Sequence, residues 1–145
     1  TNRDLIEGGT MAVNKLDELL KVTPNFMVDD VNRTVDWYHD VLDFQLALSV
    51  PQQGQFDFAI VKREQVELMF QATSSLVQDL PFLTGATVGA SVTFHIEVIG
   101  IDELYKKIKD EATIVKDLHT TFYGAKEFYF LDCNGYILTY AESAQ

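Results

Sequence analysis

At 145 residues the chain is long enough for one domain with a hydrophobic core and too short for two ordinary domains. Its 11 basic and 22 acidic residues give a formal charge of −11, which argues against a nucleic-acid partner, because phosphate binding requires clustered Lys and Arg. No apolar run approaches the ~20 residues that span a bilayer, so no membrane partner is expected. Cys133 is the only cysteine, which excludes an internal disulfide framework. With no signal-peptide pattern either, the expected location is the cytoplasm.

The segment before Met11, residues 1–10, ends in a Gly-Gly turn and is interpreted as a leader of vector origin. A single domain is therefore expected over residues 11–145. The next stretch, "VNKLDELLK", predicts a short N-terminal helix, because four apolar side chains share one helical face: Val13, Leu16, Leu19 and Leu20.

A strand, a helix and three further strands are predicted over residues 22–72. Short apolar segments predict the strands around residues 22–28, 44–50, 56–61 and 66–71. The helix follows the first strand, with Asp30 as its expected N-cap. Its apolar residues recur on one face: Val31, Val35, Tyr38 and Leu42.

The same order recurs over residues 91–142, after a linker at 73–90 that is rich in small, polar and turn residues. Strands are predicted around residues 91–98, 113–118, 126–131 and 136–141. The second helix has an apolar face made of Ile101, Leu104, Tyr105 and Ile108.

The two halves superpose in pattern at a constant offset of 70 residues, with Val28 on Val98 and Leu68 on Leu138. This repeat predicts an α+β fold in which two tandem βαβββ units form a cupped mixed sheet. One face of each four-stranded sheet is covered by its helix, and the other is left for the partner sheet or a ligand.

Three segments resemble a known family. "TPNFMVDDVNRTVDWYHDVLDF" is similar to the opening of glyoxalase/bleomycin resistance/dioxygenase (vicinal oxygen chelate) proteins, with Trp37-Tyr38 at the common "FY" and "LDF" at the common "LGF". "FYFLDCNGYILTY" resembles the family ending "F-x-F-x-D-P-D-G-x-x-[IL]-E-L", with Cys133 for Pro and Asn134 for Asp. "FHIEVIGIDELYKKI" looks like the start of the second unit. The order and spacing of these elements cover most of the chain after residue 22.

The resemblance implies where a metal would be bound, because metal-dependent members take one ligand from the first strand and one from the last strand of each unit. Carried over, these positions are Thr23, Met69, Thr93 and Thr139. A neutral hydroxyl is a poor ligand for a divalent metal, and a thioether prefers soft ions such as Cu(I). No metal and no cofactor is therefore expected, as in the metal-free, bleomycin-resistance-like members.

Strand alternation extends these positions to other residues of the same face. In the first strands they are Asn25, Met27, His95 and Glu97. If the loop before Tyr136 contains a bulge, Glu127 and Tyr129 lie beside Thr139, whereas a plain two-residue turn places Phe130 there. The first register is preferred, and the 70-residue offset then adds Asp57 and Ala59. The expected ligand-binding set is Asn25, Met27, Asp57, Met69, His95, Glu97, Glu127, Tyr129 and Thr139.

Three functional hypotheses follow. The first is a metal-independent protein that sequesters a cationic or aromatic small molecule, such as an antibiotic, in an acidic cavity. The alternative is a lyase or isomerase of the same family that uses acid–base catalysis or a displaced metal site built from His95, Glu97, His119 and Glu127. The third is a dimeric module without a ligand. The resemblance also implies a homodimer. The alternative to an acidic ligand cavity is that its carboxylates lie in water at the strand ends or pair with Lys116 or Lys126.

Overall fold

The computed structural model of the chain describes residues 16–89 and 92–144. Its strands are β1 Asn25–Val28, β2 Gln45–Val50, β3 Phe58–Arg63, β4 Val66–Ala72, β5 Thr93–Glu97, β6 Thr113–Thr120, β7 Lys126–Leu131 and β8 Ile137–Glu142. Its helices are α1 Val31–Leu42, α2 Thr73–Asp79 and α3 Ile101–Ile108, with a 3-10 turn at Pro81–Leu83. The predicted βαβββ order is confirmed in both halves.

Each half forms a four-stranded mixed sheet, in the orders β1-β4-β3-β2 and β5-β8-β7-β6. In both sheets the first and last strands of the unit pair in parallel and the other pairs are antiparallel. We call these sheet A and sheet B. The predicted cupped α+β architecture is confirmed, and among the described residues no helix has the length and hydropathy that crossing a bilayer requires.

The first helix begins and ends as its residues dictate. The side chain of Asp30 accepts a hydrogen bond from the backbone N–H of Arg33 at 3.0 Å, which confirms the predicted N-cap. Asp43 ends the helix in the left-handed conformation, with φ of 62°. The predicted apolar face is buried, since Val31, Val35, Tyr38 and Leu42 are all at most 7% exposed.

The helix-covered sides of the two sheets share one hydrophobic core. Phe26 of β1 stacks on Phe94 of β5 with ring centroids 4.3 Å apart. The two units are also joined by polar contacts: the Tyr38 hydroxyl donates to Asp132 at 2.6 Å, and the Tyr136 hydroxyl donates to the carbonyl of Met27 at 2.7 Å. Because these side chains are buried, the contacts fix how the units sit against each other.

Two expectations differ from the structure. The described part of the expected N-terminal helix, residues 16–20, forms no helix, and the rest of it lies outside the described residues, as does the proposed leader at 1–10. A helix this short is marginal in water unless its apolar face packs on something. The linker at 73–90 instead contains α2, which is held to sheet A because Gln71 donates to Ser75 and Asp79.

The hairpin turns explain a further difference. Arg63 pairs with Val66, so two residues connect β3 to β4. Leu131 pairs with Ile137, and the N–H of Asp132 donates to the carbonyl of Tyr136, which leaves a three-residue loop with Gly135 at φ of 89°. The loop of the second hairpin is thus one residue longer than that of the first. As a result, the residues of β7 are shifted by one position from those that the 70-residue offset assigns to β3.

Candidate functional site

The site is built on the face of sheet B that α3 does not cover. Two rows of side chains cross this face, because partners in register on neighbouring strands point to the same side. The first row is His95, Thr139, Tyr129 and Lys116. The second row is Glu97, Ala141, Glu127 and His119.

The preferred register of the last hairpin is the one observed. Tyr129 lies opposite Thr139, and Phe130 is in the core opposite Leu138. The physical reason is the extra loop residue at Gly135, which shifts β7 by one position and sends both phenylalanines of "FYF" to the helix side.

A cavity of about 350 Å³ opens on the second row. Its lining combines polar and acidic residues with small ones: His95, Glu97, Tyr123, Ala125, Glu127, Ala141, Ser143 and Ala144. All of these residues belong to the second unit, so the cavity is a feature of sheet B alone.

The carboxylate of Glu127 is the most enclosed charged group here, with only 3% of the residue exposed. Its two oxygens accept hydrogen bonds from the hydroxyls of Tyr123, at 2.5 Å, and Tyr129, at 3.3 Å. The hydrogen bond to Glu127 raises the pKa of Tyr123, and burial followed by the charge of Glu127 raises the pKa of Tyr129. Both phenols therefore remain protonated donors at neutral pH.

Neither lysine that could have neutralised Glu127 does so within the described chain. Lys126 pairs with Asp102 at 2.9 Å, and the Lys116 ammonium lies 6.0 Å from the ring centroid of Tyr129. The Nδ1–H of His119 donates to the carbonyl of Asp117 at 2.8 Å. The carboxylate is thus stabilised by phenol donors rather than by a cation.

The residues predicted from sheet A lie elsewhere. Asn25 and Met69 are opposite each other on the corresponding face of that sheet, while Met27 is buried beside Gln71. In the described chain these three do not line the cavity of sheet B. That both sets meet at one ligand stays a prediction, which requires sheet A of a second chain.

The prediction that Asp57 and Ala59 lie on the face of the sheet that the helix leaves uncovered is wrong. Ala59 pairs with Phe70 in the core, on the side of sheet A that α1 covers. The carbonyl of Asp57 accepts from the N–H of Ala72, which places Asp57 on the same side of the sheet. The one-residue difference between the hairpins places Phe58 and Ile60 where the offset predicted these two.

Tyr123 was missed by sequence reasoning. It lies in the turn "TTFYG" between β6 and β7, next to Phe122, whose side chain is fully exposed. The rings of Phe122 and Tyr123 pack edge to face with their centroids 5.0 Å apart. Two adjacent aromatic residues in a turn between strands would have been the signal, because such positions are ordinarily polar.

The four family metal positions do not provide a metal site. Thr23, Met69, Thr93 and Thr139 offer three neutral hydroxyls and a thioether, a donor set that does not fit a divalent ion. The displaced alternative is not assembled either: across residues 16–89 and 92–144, no three His, Cys, Asp or Glu side chains are placed to hold a metal.

The fold and the site define an α+β protein with a polar, acidic cavity on an open sheet. The profile of the Glyoxalase/Bleomycin resistance protein/Dioxygenase superfamily matches residues 16–140. The chain belongs to this superfamily, as its sequence motifs implied. No curated protein matches the chain in sequence.

Solved structures share the fold at low identity. TioX from Micromonospora sp. ML1 is 21% identical with a TM-score of 0.68, over 87% of this chain and 98% of that one. A protein of unknown function from Agrobacterium tumefaciens str. C58 is 18% identical with a TM-score of 0.74, over 89% and 98%. The bleomycin-binding protein from Streptomyces verticillus, solved with copper(II)-bleomycin, is 19% identical with a TM-score of 0.62, over 90% and 100%.

Proposed function

We propose that this protein binds a cationic or aromatic small molecule in the cavity of sheet B, without a metal of its own. The observation that carries the proposal is the Glu127 carboxylate, which is enclosed, lines the cavity and is held by two phenol hydroxyls rather than by a cation. A buried carboxylate that has only neutral hydrogen-bond donors is further stabilised when a cationic ligand binds beside it.

The surroundings of Glu127 favour the same ligand class. Glu97 adds a second carboxylate to the lining, and the ring of Tyr123 provides a face on which a cation or an aromatic group can stack. The net charge of −11 adds a long-range attraction for cations that weakens with salt.

The absence of chelating residues supports a binding rather than a Lewis-acid role. Three of the four positions that would hold a metal carry threonine, and the fourth carries methionine. The bleomycin-binding protein from Streptomyces verticillus, which has the same fold, was solved in complex with copper(II)-bleomycin. By analogy, sequestration of an antibiotic or a similar molecule is the role proposed here.

The proposal is tested by calorimetric titration of the full chain after treatment with a chelator. Copper(II)-bleomycin and the cationic dye ethidium are the probes, and an anionic aromatic dye of similar size is the matched control. We expect one site per chain for at least one cationic probe, weaker binding at higher salt, and little binding of the anionic dye. Loss of binding after chelation, equal binding of the anionic dye, or no binding of either probe would contradict the proposal.

A second candidate is a lyase or isomerase that uses acid–base chemistry. It is favoured by the shared lining of the cavity, which brings His95 within the same enclosure as Glu97 and Glu127. The two candidates differ in the fate of the bound molecule: a sequestered probe is recovered unchanged, whereas a substrate is recovered as a product.

We further propose that a second copy of the chain closes the cavity. The uncovered face of sheet A presents apolar side chains to solvent, among them Leu48 and Val50, which are about half exposed. A homodimer in which this face covers sheet B of the partner would bring Asn25 and Met69 to the ligand, as the sequence expectation required. Light scattering of the purified chain should then give twice the mass of one chain, and a monomer at micromolar concentration would contradict this arrangement.

A further inference from the structure

The seven residues before Thr23 expose almost all of their apolar surface. We call residues 16–22 the arm. Leu16, Leu19, Leu20 and Val22 are between 83% and 103% exposed. Side chains of this size are ordinarily buried, because each exposed leucine forgoes the free energy gained by leaving water. Such a concentration in seven residues indicates that the arm packs against another surface.

An uncovered groove lies where the arm leaves the fold. It has a volume of about 660 Å³ and runs between the β3–β4 turn, at Glu64–Gln65, and the end of β5. Its apolar lining comes from both units: Phe44, Val66, Ile96, Val98, Ile99 and Leu104. The Lys21 ammonium lies 3.0 Å from the carboxylate of Glu67, so the arm passes within two residues of the turn that borders the groove.

The internal repeat shows what fills the equivalent place in the other unit. There the segment before β5 crosses the β7–β8 turn so closely that a Cβ on Gly89 would lie 2.8 Å from the carbonyl oxygen of Asn134 and 3.2 Å from that of Gly135. The strands β1, β4, β5 and β8 keep the offset of 70 residues. Counted back from them, Gly89 corresponds to Leu19 and Asn134–Gly135 corresponds to Glu64–Gln65. The arm is therefore the counterpart of a segment that is packed, and the groove is the counterpart of the place where it packs.

We propose that the arm docks into this groove of its own chain, with Leu16, Leu19 and Leu20 against the apolar lining. Residues 16–20 form no helix when undocked. On docking, a helical turn would place these three side chains on one face, toward the apolar lining. Glu97 and Ser143 line both the groove and the cavity of sheet B, so the docked arm borders the ligand cavity. Docking of the arm does not depend on the identity of any ligand.

Timed trypsin cleavage of the full chain after Lys21 tests the docking, because a docked arm is cut only in its released form. The variant is Ile99→Ser, whose parent side chain is 92% exposed, so the fold itself is not expected to depend on it. We expect cleavage about fivefold faster or more in Ile99→Ser than in the parent, because serine buries less apolar surface against the arm. Phe82→Ser is the matched control, since Phe82 is 96% exposed and does not line the groove, and it should leave the rate unchanged.

Hydrogen exchange gives a second measurement on the groove itself. In the Leu16→Ser/Leu19→Ser variant, the backbone amides of residues 96–99 should lose protection, while Asp17→Ser/Glu18→Ser on the other face of the arm should not change them. The proposal is overturned if the parent is cut as fast as Ile99→Ser and its groove amides are unaffected by the arm variant. Protection that grows with protein concentration would assign the arm to a second copy and would also overturn docking within the chain.

Discussion

Replacing Glu127 with glutamine is expected to weaken binding of the cationic probe by roughly 10- to 100-fold, since hydrogen bonds to charged groups contribute about 1.5–3 kcal/mol. Glutamine has the shape of glutamate and keeps one oxygen that can accept from Tyr123 or Tyr129, so the fold should be retained. The dissociation constant measured by calorimetry, together with the thermal unfolding temperature, checks both parts of the expectation.

The control for this variant is Glu111→Gln, which removes the same charge from an exposed position after α3. A purely long-range effect of net charge would weaken binding equally in both variants and would disappear at high salt. Tyr123→Phe separates the phenol ring from its hydroxyl, and should cost less than Glu127→Gln because the ring and the carboxylate both remain. An affinity of Glu127→Gln within twofold of the parent would remove the carboxylate from the proposed site.

Replacing Asp132 with alanine is expected to lower the free energy of unfolding by about 2–4 kcal/mol, because buried donors are left without a partner. Asp132 accepts from the Tyr38 hydroxyl at 2.6 Å and from the backbone N–H groups of Asn134 at 2.8 Å and Tyr136 at 2.9 Å. The hydroxyl belongs to a fully buried side chain of the other unit, so water cannot replace the carboxylate as its acceptor. Urea denaturation of both proteins measures the difference.

Asp132→Asn is the matched variant, because its amide oxygen can still accept from the two backbone groups and its volume is unchanged. Burial raises the pKa of Asp132 above its ordinary value of 3.8, so the Asp132 carboxyl group holds its proton more tightly in the folded protein than in the unfolded chain. The contribution of Asp132 to stability therefore falls as pH rises from below 3.8 through the raised pKa, and this fall should be missing in Asp132→Asn. If the free energy of unfolding of Asp132→Ala is less than about 1 kcal/mol below that of the parent, the hydrogen bond between Tyr38 and Asp132 does not stabilise the contact between the units.

Most of the architecture could be read from local patterns. The periodicity of Val31, Val35, Tyr38 and Leu42 predicted both α1 and its buried face, because a helix brings every third or fourth residue to the same side. The family motifs and the repeat placed β7 and β8, and the identity of Thr139 already argued against a chelating site. The helix prediction concerns residues close together in sequence, where spacing alone sets the geometry, and the strand predictions rest on patterns that occur in both halves of the chain.

The predictions that were wrong depended on counting along a loop. Asp57 and Ala59 were placed by assuming that both hairpins have the same length, and a single additional residue before Tyr136 exchanges the two faces of a strand. The short helix expected before Thr23 was not found in its described part, because a local pattern cannot supply the surface on which such a helix must pack.

The amino-acid pattern alone therefore establishes the two βαβββ units, the polar character of the sheet face that α3 leaves uncovered and the lack of metal ligands at the four family positions. The tertiary structure decides which polar residues meet: it joins Glu127 to Tyr123 across a turn, separates Asn25 and Met69 from them, and links Tyr38 to Asp132 over 94 positions. The reason is that side-chain type and period are local properties, whereas register, the shape of each turn and the packing of one unit on the other depend on the folded chain as a whole, including contacts between residues distant in sequence.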